Sequence, residues 1–132
     1  MLKIKRPIFS AMVHHLQSAY PLEACGFLSG RRNLADRLHC IDNILQSPVA
    51  YEMDPTQQIT AMIDMENRGE KMLVIFHSHP QGPQTPSETD IEQAFYPEAI
   101  YMIVSLENRR QPIANAYKIE NGMVRKTTWQ LV

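Results

Sequence analysis

Met72-Leu73-Val74-Ile75-Phe76 is an unbroken apolar run that gives way to His77-Ser78-His79-Pro80. Such a run reads as a strand covered on both faces, so the chain must supply a packing layer on either side of a sheet. Pro80 cannot donate to a ladder, which stops the strand and leaves the two histidines at its mouth rather than in the core. Residues i and i+2 of a strand point to the same face, so both imidazoles can converge on one point. Strand ends beside loops are where α/β folds usually place their sites.

The rest of the chain reads as the sheet's other strands and its covering layers. Residues 2–6 read as a short first strand. Ile8, Met12, Val13, Leu16, Ala19 and Tyr20 recur at helical spacing until Pro21 stops them. Residues 24–29 (ACGFLS) form a second strand, Gly30-Arg31-Arg32-Asn33 turns the chain, and residues 37–46 return. Asp54-Pro55-Thr56-Gln57 starts a helix, with Asp54 as cap, Pro55 at the first position and Gln57 completing a capping box. Ile59, Met62, Ile63 and Glu66 continue its period, and Gly69 can end it. Ser87-Glu88-Thr89-Asp90 opens a short helix that Pro97 terminates. Residues 99–106 form a further buried strand, and residues 112–119 and 123–131 flank the hairpin signal Asn121-Gly122. At 132 residues the expectation is one domain spanning 1–132. Its class is α/β, a mixed β-sheet sandwiched by helices in the order β-α-β-β-α-β-α-β-β-β.

Bulk properties exclude several functions. A net charge of −1 offers no electrostatic case for nucleic acid or an anionic membrane. The apolar runs are far too short to span a bilayer. The basic N-terminus is interrupted by His14 and His15 and lacks a small-residue cleavage site, so it does not read as a signal peptide. Cys25 and Cys40 form no CxxC pair, which argues against a disulfide framework and a cysteine-based zinc site and for a reducing cytoplasm.

Two histidines and one carboxylate, with water in the fourth position, make the open tetrahedral arrangement of a catalytic zinc. Asp90 can supply the carboxylate from the first turn of its helix, and the prolines and glycine of QGPQTP suit a compact return. Zinc would bring its bound water to a pKa of about 7. Glu23, a carboxylate that begins an otherwise apolar strand, is the candidate general base. Ser87 can donate its hydroxyl proton to the oxyanion of a tetrahedral intermediate. Each residue also has a plainer reading. The histidines can be a satisfied pair at a strand end, and Glu23 can pair with a basic side chain. Ser87-x-x-Asp90 is itself a capping box, and Asp90 cannot fully serve both cap and metal. Cys25, two residues from Glu23, reads as a small buried hydrophobe, and Cys40 as core. His39 reads as a solvated strand residue. Arg31-Arg32 and Arg109-Arg110 read as solvated turns, and Met12, Met62, Met72 and Met102 as core filling.

The array Glu23…His77-Ser78-His79-Pro80, six residues, Ser87-Glu88-Thr89-Asp90 resembles the JAMM (JAB1/MPN) signature E…H[S/T]HP-x6-SxxD at every named position. PLEACGFLSG and SPVAYEMDP also resemble segments of its short prokaryotic members. The resemblance implies a cytidine-deaminase-like fold and a zinc metallopeptidase, with His77, His79 and Asp90 as ligands, Glu23 as base and Ser87 as stabiliser. It implies a peptide or isopeptide bond at the C-terminus of a ubiquitin-like or sulfur-carrier protein as substrate. The chain has no obvious insertions of the kind that grip linked ubiquitins, so polyubiquitin is not expected. The alternative is a non-catalytic MPN-type scaffold, although such relatives lack ligand positions that are all present here. Nucleobase deaminases need H-x-E and PCxxC, and zincins need HExxH; both are absent. An HxH amidohydrolase barrel does not fit this length. The expected state is a monomer or a homodimer.

Overall fold

A computed structural model describes residues 1–132. Strand β4 (Lys71–His79) lies inside one eight-stranded sheet, and its apolar run divides between two cores. Val74 and Phe76 face helix α1 (Arg6–Ala19), where they meet Met12 and Leu16. Ile75 faces the other way, toward Ala61 and Met65 of helix α2 (Pro55–Asn67). Period-2 alternation inside a continuous apolar run thus gives each helix its own packing surface, as expected for a strand covered on both sides.

The remaining strands are β1 (Leu2–Ile4), β2 (Cys25–Arg31), β3 (Leu34–Ile41), β5 (Ile100–Ser105), β6 (Ile113–Glu120), β7 (Met123–Thr127) and β8 (Trp129–Leu131). A short helix α3 (Glu88–Glu92) lies between β4 and β5. The order across the sheet is β7-β6-β5-β4-β2-β3-β1-β8. The sheet is mixed: β4 runs parallel to β5, and β1 parallel to both β3 and β8, while the other pairs are antiparallel. Gly26 lets β2 pack this tightly, because a Cβ there would stand 2.2 Å from the His39 carbonyl.

The C-terminal strand expected over 123–131 is divided at Thr128. Its first half pairs with β6 and its second with β1, at opposite ends of the strand order. The sheet therefore curls around α1, with Trp129 stacked on Phe9 at 5.2 Å and its indole donating to the Ala114 carbonyl. Asn121 and Gly122 take the positive φ angles that a two-residue hairpin turn demands.

Other elements depart from the sequence reading for local reasons. Strand β3 ends at Ile41, and residues 42–46 leave the sheet. Helix α2 buries Ala61 and Met65 while Ile59 and Ile63 are exposed, so the helical period is right and the buried face is rotated. Asp54 caps the Gln57 N–H as expected, but the Gln57 side chain does not close a capping box. Its carboxamide accepts from the Asp42 N–H and donates to the Asp42 carboxylate. Helix α3 ends at Glu92, ahead of Pro97. Cys40 is exposed, not core. His39 bonds the Ser29 hydroxyl at 2.8 Å instead of pointing freely into water. Arg31 donates to carbonyls of Arg68 and Gly69, and Arg109 stacks its guanidinium over Tyr20. No helix is long and apolar enough to cross a membrane.

Candidate metal centre

Strand alternation puts His77 and His79 on the face that carries Ile75. Both imidazoles are buried. Their Nε2 atoms lie 3.0 Å apart, and Asp90 Oδ2 stands 3.2 Å from the first and 3.1 Å from the second. These three are a group of ligand atoms able to hold a metal ion. The triangle is nearly equilateral. Four ligands about 2.0–2.1 Å from a central zinc stand about 3.3 Å from one another, so the triangle matches one face of such a tetrahedron.

The protonation pattern favours a cation. His79 Nδ1 contacts the Pro83 carbonyl at 2.8 Å. A carbonyl only accepts, so Nδ1 carries the proton; Nε2 then offers a lone pair to a metal when the ring is neutral, or a proton to Asp90 Oδ2 when the ring is charged. Burial holds the His77 imidazole below its ordinary value, with the neighbouring Asp90 opposing that effect. For His79 burial acts the same way, but Asp90 and the Pro83 carbonyl outweigh it and raise the ring. Burial alone would raise the Asp90 carboxyl, yet hydrogen bonds from His77, His79 and the Ser87 N–H hold it well below the usual carboxylate range. Nitrogen lone pairs and an anionic oxygen packed this closely need positive charge between them, supplied by protons or by a metal.

The return loop is tied down. His79 O accepts from the N–H groups of Gly82 and Leu106, and Gln84 O accepts from the buried Tyr117 hydroxyl at 2.7 Å. At the start of α3, Ser87 Oγ accepts from the Asp90 N–H at 3.1 Å, while the Ser87 N–H donates to Asp90 Oδ2 at 2.9 Å. The capping box is therefore complete, and the oxygen that closes it is the one facing both imidazoles. That oxygen has a second lone pair beside the one that takes the Ser87 N–H. Ser87 is exposed and uses its hydroxyl only as an acceptor in the cap, leaving its proton free.

Glu23 comes to the same face through strand register. Cys25 pairs with His77 in the β2–β4 ladder. Continuing that antiparallel register sets Ala24 opposite Ser78 and Glu23 opposite His79. The Ala24–Ser78 step is made by the Ser78 N–H donating to Ala24 O and the Ala24 N–H donating to Ser78 Oγ, both at 3.0 Å. Glu23 is 6% exposed. Burial pushes its carboxyl up to about 7, with His79 pulling it down and Asp90 adding to the rise. A carboxyl in that range exchanges protons readily at neutral pH. Cys25 donates its thiol to Ile41 O, and burial, then the acidic neighbours Asp42 and Glu23, push it up to about 12. It is a neutral filler at neutral pH, as the sequence suggested.

Two contributors carry no sequence signal of their own. Tyr51 stacks on the His77 ring at 4.5 Å. Asn43 bonds the Glu23 carbonyl across twenty residues of chain. Both come from the segment between β3 and α2, where only the family-like SPVAYEMDP hinted at importance.

Comparison with known proteins places the chain among relatives of one family. The family described as prokaryotic homologs of the JAB domain matches residues 5–119. A CysO-cysteine peptidase of Mycobacterium tuberculosis is 33% identical over 126 residues, covering 94% of this chain and 86% of that protein. A desampylase of Pyrococcus furiosus is 38% identical over 88 residues, or 67% of this chain and 63% of the other. The solution structure of a protein from Desulfitobacterium hafniense superposes with a TM-score of 0.90 at 36% identity, covering all of this chain and 93% of that one.

Proposed function

The chain belongs to the family of prokaryotic homologs of the JAB domain, and on that footing we propose that it is a zinc peptidase acting on the C-terminus of a ubiquitin-like or sulfur-carrier protein. The observation that carries the reading is the triangle of His77 Nε2, His79 Nε2 and Asp90 Oδ2, with the buried Glu23 carboxyl at the register position opposite His79. In this reading His77, His79 and Asp90 hold the zinc. When bound, it supplies a Lewis acid for the scissile carbonyl and hydroxide at neutral pH.

The chain's own residues do the rest. Glu23 takes the proton of the attacking water and returns it to the nitrogen of the breaking C–N bond, so the amine leaves neutral. Ser87 turns its free hydroxyl proton toward the developing oxyanion while its lone pair keeps the cap. Asp90 stays ionised throughout, held by the His contacts and the Ser87 N–H. The names of the relatives support the substrate class. One acts on a CysO-cysteine linkage, and another is called a desampylase.

The test uses zinc-loaded protein and a ubiquitin-like carrier bearing one added C-terminal cysteine, with a carrier–lysine conjugate in parallel, followed by intact-mass spectrometry. Wild type should remove the added group, and chelation should stop it. Glu23→Gln should retain one zinc per chain and lose turnover by about 10²- to 10⁴-fold. Wild-type cleavage by Glu23→Gln sinks the base assignment, and zinc binding that survives loss of His77 and Asp90 together sinks the metal assignment.

A further inference from the structure

Asn43 lies just past the end of β3, where the chain leaves the sheet. Its carboxamide uses all four of its hydrogen-bonding positions. Nδ2 donates to Glu23 O at 2.9 Å and to Ala50 O at 3.1 Å. Oδ1 accepts from Leu45 N at 3.0 Å and Glu52 N at 3.1 Å. Two carbonyls on one side and two N–H groups on the other admit a single orientation of the amide, so the contact is directional.

The partners show what this knot joins. Leu45, Ala50 and Glu52 belong to the loop between β3 and α2, closed by the Asn43–Met53 bridge and the Ile44 N–H to Glu52 O bond. Glu23 belongs to the approach to β2. The same loop also takes the Glu23 N–H, through Ser47 O at 2.9 Å. Both main-chain polar groups of Glu23 are thus held by one loop, and Asn43 is the side chain that sets that loop's shape. On the other side Ser78 holds Ala24 to the ligand strand. Tyr51, carried by the loop, stacks on His77.

We propose that Asn43 is a positioning residue that holds the main chain of Glu23 in register with His77 and His79. The proposal rests on the reading of Glu23 as the general base. A base must stand within hydrogen-bonding distance of the proton it takes, and a misplacement of about 1 Å costs up to 10²-fold in rate. Asn43 touches neither substrate nor metal in this account; it acts through Glu23.

Two substitutions separate the halves of the knot. In Asn43→Asp one carboxylate oxygen still accepts from Leu45 and Glu52, while the other confronts the carbonyls of Glu23 and Ala50 and repels them. Asn43→Ala releases both sides. Amide hydrogen exchange on metal-free protein reads the tether without any turnover. For Asn43→Asp the Glu23 and Ala24 amides should exchange about tenfold faster, with Leu45 and Glu52 within about twofold of wild type. For Asn43→Ala all four should speed up. Zinc affinity by competition titration should stay within about threefold in Asn43→Asp, because the ligands sit on β4 and α3. Turnover of the cysteine-extended carrier should fall about 10- to 100-fold with KM little changed.

Wild-type exchange at Glu23 and Ala24 in Asn43→Asp overturns the proposal. So does faster exchange with undiminished turnover, and so does a loss of zinc affinity as large as the loss of turnover. Glu23→Gln serves as the reference: it should slow turnover while its Leu45 and Glu52 amides exchange as in wild type. Should wild type leave the carrier intact, the substrate reading fails, while the exchange data still decide whether Asn43 holds Glu23.

Discussion

Replacing Tyr117 by Phe tests whether the return loop presets the metal site. Tyr117 is 4% exposed and lies on β6, away from the site residues in sequence. Its hydroxyl donates to Gln84 O at 2.7 Å, next to Pro83, whose carbonyl fixes His79 Nδ1–H. The phenyl ring keeps the packing, so the substitution deletes one hydrogen bond and leaves Gln84 O to find water. Such a bond contributes about 1–1.5 kcal/mol net. If all of that energy holds the Pro83 carbonyl against His79, zinc affinity weakens by about tenfold at most, since 1.4 kcal/mol is a factor of ten. Part of it serves the fold alone, which sets the expected range at about 3- to 10-fold. Competition of metal-loaded protein against a chromophoric chelator measures this, with the melting temperature of the metal-free protein as control. Asn115→Ala removes the exposed bond to the Gln84 side chain and should change affinity less than twofold. A Tyr117→Phe protein that binds zinc within twofold of wild type refutes the reasoning.

Ser87→Ala should cost about 1 kcal/mol of stability in the metal-free protein through the lost cap, and about 10²-fold in turnover with zinc retained; denaturant titration and kinetics on one preparation separate the two. Cys25→Ala should leave turnover within a few-fold of wild type, and iodoacetamide at neutral pH should not inactivate the native enzyme, because the thiol is buried and pushed up to about 12; rapid inactivation tracking Cys25 modification would contradict this. Glu70→Gln should destabilise the metal-free protein by about 1 kcal/mol at pH 7, since Gln keeps an acceptor for Ser29 but loses the charge that pairs with a partly exposed Arg37. Burial alone would raise this carboxyl, but the bonds from Ser29 and Arg37 and the charges of Arg37 and Arg68 hold it below its ordinary value. Its contribution is therefore complete above the unfolded pKa of about 4.3 and is lost as pH falls through the lower folded value. The gap between wild type and Glu70→Gln in urea should narrow below about pH 4; a gap that widens there is the opposite sign and defeats the assignment.

The strands and helices were legible wherever short-range pattern decides them. The run 72–76, the cap at Asp54 and the turn at Asn121-Gly122 each depend on residues a few positions apart, and each stands in the structure. The division at Thr128 was not legible, because which sheet edge a strand reaches depends on the curl of the whole sheet. Nor was the buried face of α2. Ile59 and Ile63 have the better hydrophobic pattern, yet the close approach of the helix to β3 and β4 suits Ala61 and Met65. The spacing His77, His79, Ser87, Asp90 drew attention because one strand and one helix turn set it. Asn43, Tyr51 and Tyr117 did not, since their contacts cross the chain and leave no periodic mark.

Ser78 shows how the proposed base and the proposed ligands are kept together. Between two histidines that share the face of Ile75, Ser78 must face the opposite side of β4, where it is fully buried. An apolar residue would fill that space, but only a hydroxyl there can accept the Ala24 N–H after the formal β2–β4 pairing has ended. The ladder is thereby lengthened by one residue beyond Cys25–His77, and the next position, Glu23, arrives opposite His79 on the face that carries the two imidazoles. Asn43 secures the carbonyl of the same residue from the far side. Glu23 is thus fixed through its backbone, from two directions, before any substrate arrives. That leaves its carboxylate unencumbered by hydrogen bonds that the proposed proton transfer would otherwise have to break.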